Sequence, residues 1–127
     1  MSVAFDPKQG PVVVQVKLCG PAGDTYAELA LDTGATSTVV NTGVLVSVGY
    51  DVAAAADRLW ITTGSGIEFV PRLSLCRIEA LGQARECFPV VSHTLPTTAA
   101  VDGVLGLDFL RDQRLVVDFR EGLITLE

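Results

Sequence analysis

Along much of the chain apolar residues recur every second position. "VVVQVKL" (12–18) places Val12, Val14, Val16 and Leu18 on one face, the pattern of a half-buried strand. "CGPAGD" (19–24) reads as a turn from its Gly and Pro content, and "TYAELAL" (25–31) as the return strand of a β-hairpin. After "DTGA" the β-branched "TSTVVN" (36–41) predicts another short strand. The stretch 42–57 mixes β-branched residues with an alanine run. Leu45 and Val48 fit one face of a short helix that Gly49 ends, and no role follows for the segment.

"LWITTGSGIEFVPRLSLCRIEALG" predicts two strands about "TTGSG" (62–66), with strand continuing to a turn at Gly82. "QARECFPVVSHTL" (83–95) is a further strand. "PTTAAVDG" (96–103) is a loop with a strand start, "VLGLDFLRD" passes into a short helix, and 115–127 closes as a hairpin about Glu121-Gly122. Many short strands with frequent turns predict an all-β barrel or sandwich rather than an alternating α/β fold. "LALDTGATSTVV" and "AAVDGVLGLDFL" echo each other, too weakly to define a repeat.

Length and composition narrow the function classes. A chain of 127 residues makes one domain, 11–127, after a loose lead-in over 1–10. A net charge of −6 without any Lys/Arg run argues against a nucleic-acid or anionic-membrane surface. The apolar stretches are too short for a membrane span. "MSVAFDPKQG" lacks the basic start and apolar run of a secretory signal, so a cytoplasmic location is expected. Cys19, Cys76 and Cys87 cannot all pair within one chain. Cys76 and Cys87 flank the turn at Leu81-Gly82 almost symmetrically and could face each other, but in a reducing compartment they read as small, reduced core residues.

Candidate chemistry sits where the apolar strand 28–31 runs into Asp32-Thr33-Gly34-Ala35. A carboxylate there must be hydrogen-bonded or paired to be tolerated. Gly34 admits another backbone or a substrate close by, and its N–H can face the carboxylate. Thr33 offers a hydroxyl. Two carboxylates sharing a proton split into a base and an acid. The chain has a single D-T-G, and Asp102 and Asp108 lack the following Thr-Gly and read as turn and helix-start residues. The second carboxylate then comes from a second copy about a two-fold axis.

"LALDTGATSTVV", "WITTGSG" and "VDGVLGLDFL", in that order and spacing, resemble a single-domain aspartic protease of the retropepsin type, in particular its small bacterial and archaeal members. The resemblance covers roughly 11–127. It implies a closed, retropepsin-like acid-protease barrel with one or two short helices. It implies Asp32 as the catalytic carboxylate, paired with Asp32 of a partner and activating a water, without metal or cofactor. Thr33 would bond across the dyad, and Gly34 would donate to the carboxylate. Ala35 would line the substrate with the hairpin tip Thr62, Thr63, Gly64, Ser65 and Gly66, which would act as a flap. Val104, Leu105 and Gly106 would brace the active-site loop, and "LITLE" would join the dimer interface. Partners would be a second copy and an extended protein or peptide substrate. The sequence departs from pepsin-like enzymes at Ala35, where they carry Ser or Thr. Lacking that donor to the ionised carboxylate, this chain is expected to work in weakly acidic solution rather than at about pH 2–3.

Other residues have plainer readings. His93, the single His, lacks partners for a metal site or triad and reads as a strand-end or surface residue. Trp60 reads as core or pocket wall. Ser37 and Ser92 have no base to activate them. "TTGSG" lacks the Lys and helix of a phosphate loop. An alternative to the endopeptidase is a catalytically weak dimerisation or peptide-binding module on the same fold. A protease with one dedicated client is a third reading.

Overall fold

Alternation on the first hairpin produces the wall from which the barrel is built. In the computed structural model, which describes residues 1–127 apart from the side chain of Thr63, β1 is Ser2–Ala4, β2 Val13–Gly20 and β3 Gly23–Leu31. Strands β2 and β3 pair antiparallel from Val13↔Ala30 to Gly20↔Gly23. Val14, Val16, Leu18, Ala27 and Leu29 all turn inward and are buried, as the period of two predicts.

The chain continues through β4 (Val39–Asn41), α1 (Thr42–Ser47), a 3₁₀ turn (Val52–Ala54), β5 (Asp57–Thr63), β6 (Gly66–Ala80) and β7 (Gln83–His93). It ends with β8 (Gly103–Leu105), α2 (Leu107–Leu110), β9 (Leu115–Asp118) and β10 (Leu123–Leu126). The large sheet runs β2-β3-β8-β4-β7-β6-β5, and β6 returns to pair with β2 from Lys17↔Glu79 to Cys19↔Arg77. That pairing closes a six-stranded barrel and leaves β5 outside it, so an all-β closed barrel with two short helices is what forms, as expected. Closure removes free edges from the barrel wall.

Helix α1 carries Leu45 into the core and ends before Gly49, as expected. Helix α2 is only one turn. It is anchored by buried Phe109, which meets Phe88 edge-on at 5.8 Å and lies beneath the Arg85 guanidinium at 4.6 Å. Tyr50 finishes the seam between β2 and β6. Its hydroxyl donates to the Cys19 carbonyl at 2.7 Å and accepts the Cys76 N–H at 2.7 Å.

The structure corrects three expectations. The lead-in is not wholly loose: Ser2–Ala4 pairs with Leu123–Thr125, because β10 offers an open edge and Val3 packs on the core. That contact also occupies "LITLE". Strand β10 lies in the middle of a three-stranded sheet, β1-β10-β9, with both edges bonded inside the chain. Cys76 and Cys87 are free thiols but exposed, not core residues. Trp60 is neither core nor an enclosed wall: it stands 70% exposed on β5, beside Phe69 at a ring distance of 4.7 Å.

Candidate active site

The two echoing segments lie side by side. Strand β3 runs parallel to β8, with Leu29↔Gly103, Ala30↔Val104 and Leu31↔Leu105 in register. Strand β4 covers the other edge of β8, with Val39↔Val104 and Val40↔Gly103. The approach is close enough that a Cβ on Gly103 would run into the Val39 carbonyl.

Asp32 emerges from this layer, its N–H still donating to the Leu105 carbonyl at 3.0 Å. The backbone then turns sharply. The Gly34 N–H donates to Asp32 Oδ1 at 2.9 Å, and the Ala35 N–H to the Asp32 carbonyl at 3.2 Å. The strand therefore ends in a carboxylate held by its own loop, half-buried at the surface, with the ionised form receiving a backbone donor. Thr33 beside it is exposed, and among the described residues its hydroxyl has no partner within the chain.

The bracing segment packs directly beneath. The Leu107 N–H donates to the Ala35 carbonyl at 2.8 Å. A Cβ on Gly106 would stand 2.8 Å from the Ala35 oxygen and 2.9 Å from the Ser37 oxygen, so only glycine lets the two backbones meet. The sequence reading missed the clamp that fastens them. Thr38 is fully buried, and its hydroxyl donates to Asp108 Oδ1 at 2.7 Å while accepting the Gly106 N–H at 3.1 Å. The Thr38 N–H donates to Asp108 Oδ2 at 2.9 Å. Asp108 does stand in the first turn of α2, as expected, but its carboxylate serves the loop. The signal was there: a Thr leading directly into the apolar Val39-Val40, and an Asp just after the apolar-apolar-Gly segment. Asp102 is likewise structural, accepting the Glu28 N–H at 2.9 Å.

Asp32, Gly34, Ala35, Leu105 and Gly106 are thus brought together by hydrogen bonds and close backbone packing, with Val104 one residue behind in β8. Thr62, Gly64, Ser65 and Gly66 lie elsewhere, at the tip of the β5–β6 hairpin, where Thr63 pairs with Gly66; the Thr63 side chain lies outside the described residues. That hairpin exposes Trp60, Ile67 and Phe69. Where it nears the barrel, Glu68 stands 3.6 Å from Nε2 of His93, the last residue of β7. Among the described residues no group of three or more His, Cys, Asp or Glu is placed to hold a metal, and no helix is long and apolar enough to cross a membrane.

A family profile described as "gag-polyprotein putative aspartyl protease" matches residues 22–112, well over half of the chain. No protein with a curated description matches the sequence. Among solved structures the fold is similar to that of a retropepsin-like aspartic protease from Rickettsia conorii, with a TM-score of 0.68 at 13% identity, covering 99% of this chain and 87% of that one.

Proposed function

This chain belongs to the gag-polyprotein aspartyl protease family, and from that premise we propose that it is a homodimeric aspartic endopeptidase. The observation that carries the reading is the Asp32 loop: a carboxylate at the end of a barrel strand, fixed by Gly34 and braced by Leu105–Asp108, present once per chain. Two such loops meeting about a two-fold axis place two carboxylates together. Like charges that close cannot both stay ionised, so the pair holds one proton between them. The ionised partner takes a proton from a water as it attacks the peptide carbonyl. The protonated partner hydrogen-bonds the carbonyl oxygen, and the proton is passed to the leaving amine.

In this reading Thr33, whose hydroxyl has no partner among the described residues, bonds to the other protomer and locks the loops together. Ala35 and the hairpin tip Thr62–Gly66 bind the substrate, which lies extended as an added strand. The hairpin closes over it and excludes water. Strand β10 contributes to the dimer through its outer face, since both its edges are already paired.

The test is proteolysis of an unfolded peptide pool from about pH 3 to pH 8, a span that brackets dyad chemistry, with wild type beside Asp32→Asn. Cleavage that peaks in weakly acidic solution, disappears in Asp32→Asn and is blocked by a statine-type inhibitor is the expected result. A dimeric sample that cleaves nothing would replace the endopeptidase with the peptide-binding module, or with a protease confined to one client.

A further inference from the structure

The β6–β7 hairpin changes character at one level. On either side the ladder is regular, with Leu75 opposite Phe88 and Arg77 opposite Glu86. The level between, where those flanking pairs would set Cys76 opposite Cys87, is missing from the ladder. Leu75 and Phe88 are buried, yet Arg77 and Glu86, two residues away on each strand, pair on the outside at 3.3 Å. Both strands therefore break their alternation at the same place. Cys87 has a φ of 51°, the left-handed region that a residue other than glycine enters only at a cost. The Cys76 N–H turns away from β7, toward the Tyr50 hydroxyl. Both thiols are exposed.

We propose that Cys76 and Cys87 are a redox modification site that forms a reversible cross-strand disulfide. The flanking pairs Leu75–Phe88 and Arg77–Glu86 hold the two strands at sheet spacing on both sides of the cysteines. At that spacing opposite Cα atoms lie about 4.5–5.5 Å apart, within the span of roughly 4.4–6.8 Å that a disulfide bridges. The sheet has already aligned the two strands, so the second sulfur is held at high effective concentration.

The co-reactant is a low-molecular-weight disulfide such as oxidised glutathione. One cysteine thiolate attacks it, forming a mixed disulfide and releasing one glutathione thiolate. The other cysteine thiolate then attacks the protein sulfur of that mixed disulfide and releases the second. Two protein thiols are oxidised, one glutathione disulfide is reduced, and the two thiol protons end on the two glutathione molecules. Cys19 stays out of the exchange. It is partly covered, and burial pushes its thiol up, with its bond to Asp24 adding to the effect, so it offers less thiolate. The crosslink fastens the corner from which β6 runs on to the hairpin tip at Gly66.

The experiment equilibrates the reduced full chain over a series of glutathione redox buffers, quenches with acid and alkylates free thiols. Trypsin cuts between the two cysteines, so Cys76 lies in peptide 73–77, Cys87 in 86–111 and Cys19 in 18–58. The expected result is peptides 73–77 and 86–111 joined, with an intact mass lower by about 2 Da for the two hydrogens lost. That product outweighs singly glutathionylated protein, does not depend on protein concentration, and leaves Cys19 alkylated. In Cys76→Ser a glutathione adduct on Cys87 replaces the crosslink. Stable adducts on both wild-type cysteines, disulfides between chains, or a crosslink through Cys19 would overturn the proposal.

Discussion

At the scale of single residues the site depends on Thr38. Its hydroxyl is committed twice, to Asp108 and to the Gly106 N–H, inside a fully buried position. Thr38→Val keeps the shape and removes the oxygen. It strands the Gly106 N–H and takes one donor from the Asp108 carboxylate, which should cost about 2–3 kcal/mol in denaturant unfolding. Peptidase activity should fall further than stability explains, because the loop carrying Asp32 loses its brace. Thr38→Ser, which restores the hydroxyl, should recover most of both; a Val variant that loses nothing beside a Ser variant that does would mean that the methyl, not the clamp, matters.

At the scale of elements, the seam between β2 and β6 is completed by a side chain. Tyr50→Phe leaves the Cys19 carbonyl and the Cys76 N–H without that partner, and should cost about 1–2 kcal/mol. Burial above all, with a Cys76 hydrogen bond, pushes the Tyr50 hydroxyl up to about 12 from its ordinary 10.0. A group raised on folding stabilises fully below its unfolded value and loses that contribution as pH rises through its folded one. The stability difference between wild type and Tyr50→Phe should therefore be constant below about pH 10 and shrink toward pH 12, where Tyr50 ionises in the folded chain too. Unfolding curves of both proteins across that range check this, and other alkaline groups cancel in the comparison.

The β5–β6 hairpin behaves differently. Trp60 and Phe69 stack on each other with little beneath them, so Trp60→Ala should change stability by no more than about 1 kcal/mol. If the exposed aromatic pair contacts substrate, kcat/KM on peptides should drop by about tenfold in the same variant. A variant that loses stability and keeps activity would assign the pair to folding instead.

At the scale of the whole molecule, the proposed chemistry needs two chains. When wild type is mixed with an equal amount of Asp32→Asn and allowed to exchange, about a quarter of the dimers carry two intact loops. Activity should fall to about that fraction of an equal total of wild type, whereas independent chains would retain about half. Specific activity of wild type should also drop on dilution through the dimer dissociation range.

Much of this protein followed from its sequence alone. Period-two alternation fixed the strands, because side chains on a pleated strand must divide between core and solvent. Gly34, Gly49 and Gly82 marked turns, and the single D-T-G marked the candidate carboxylate. Local pattern could not say which strands meet. That β6 returns to β2, that Ser2–Ala4 occupies one edge of β10, and that Trp60 stands outside the core are outcomes of closure, which depends on contacts distant in sequence. The same holds for Thr38 and Asp108. Seventy residues apart, they form a clamp only because β8 slides between β3 and β4, and a buried hydroxyl there must find a partner on the other segment.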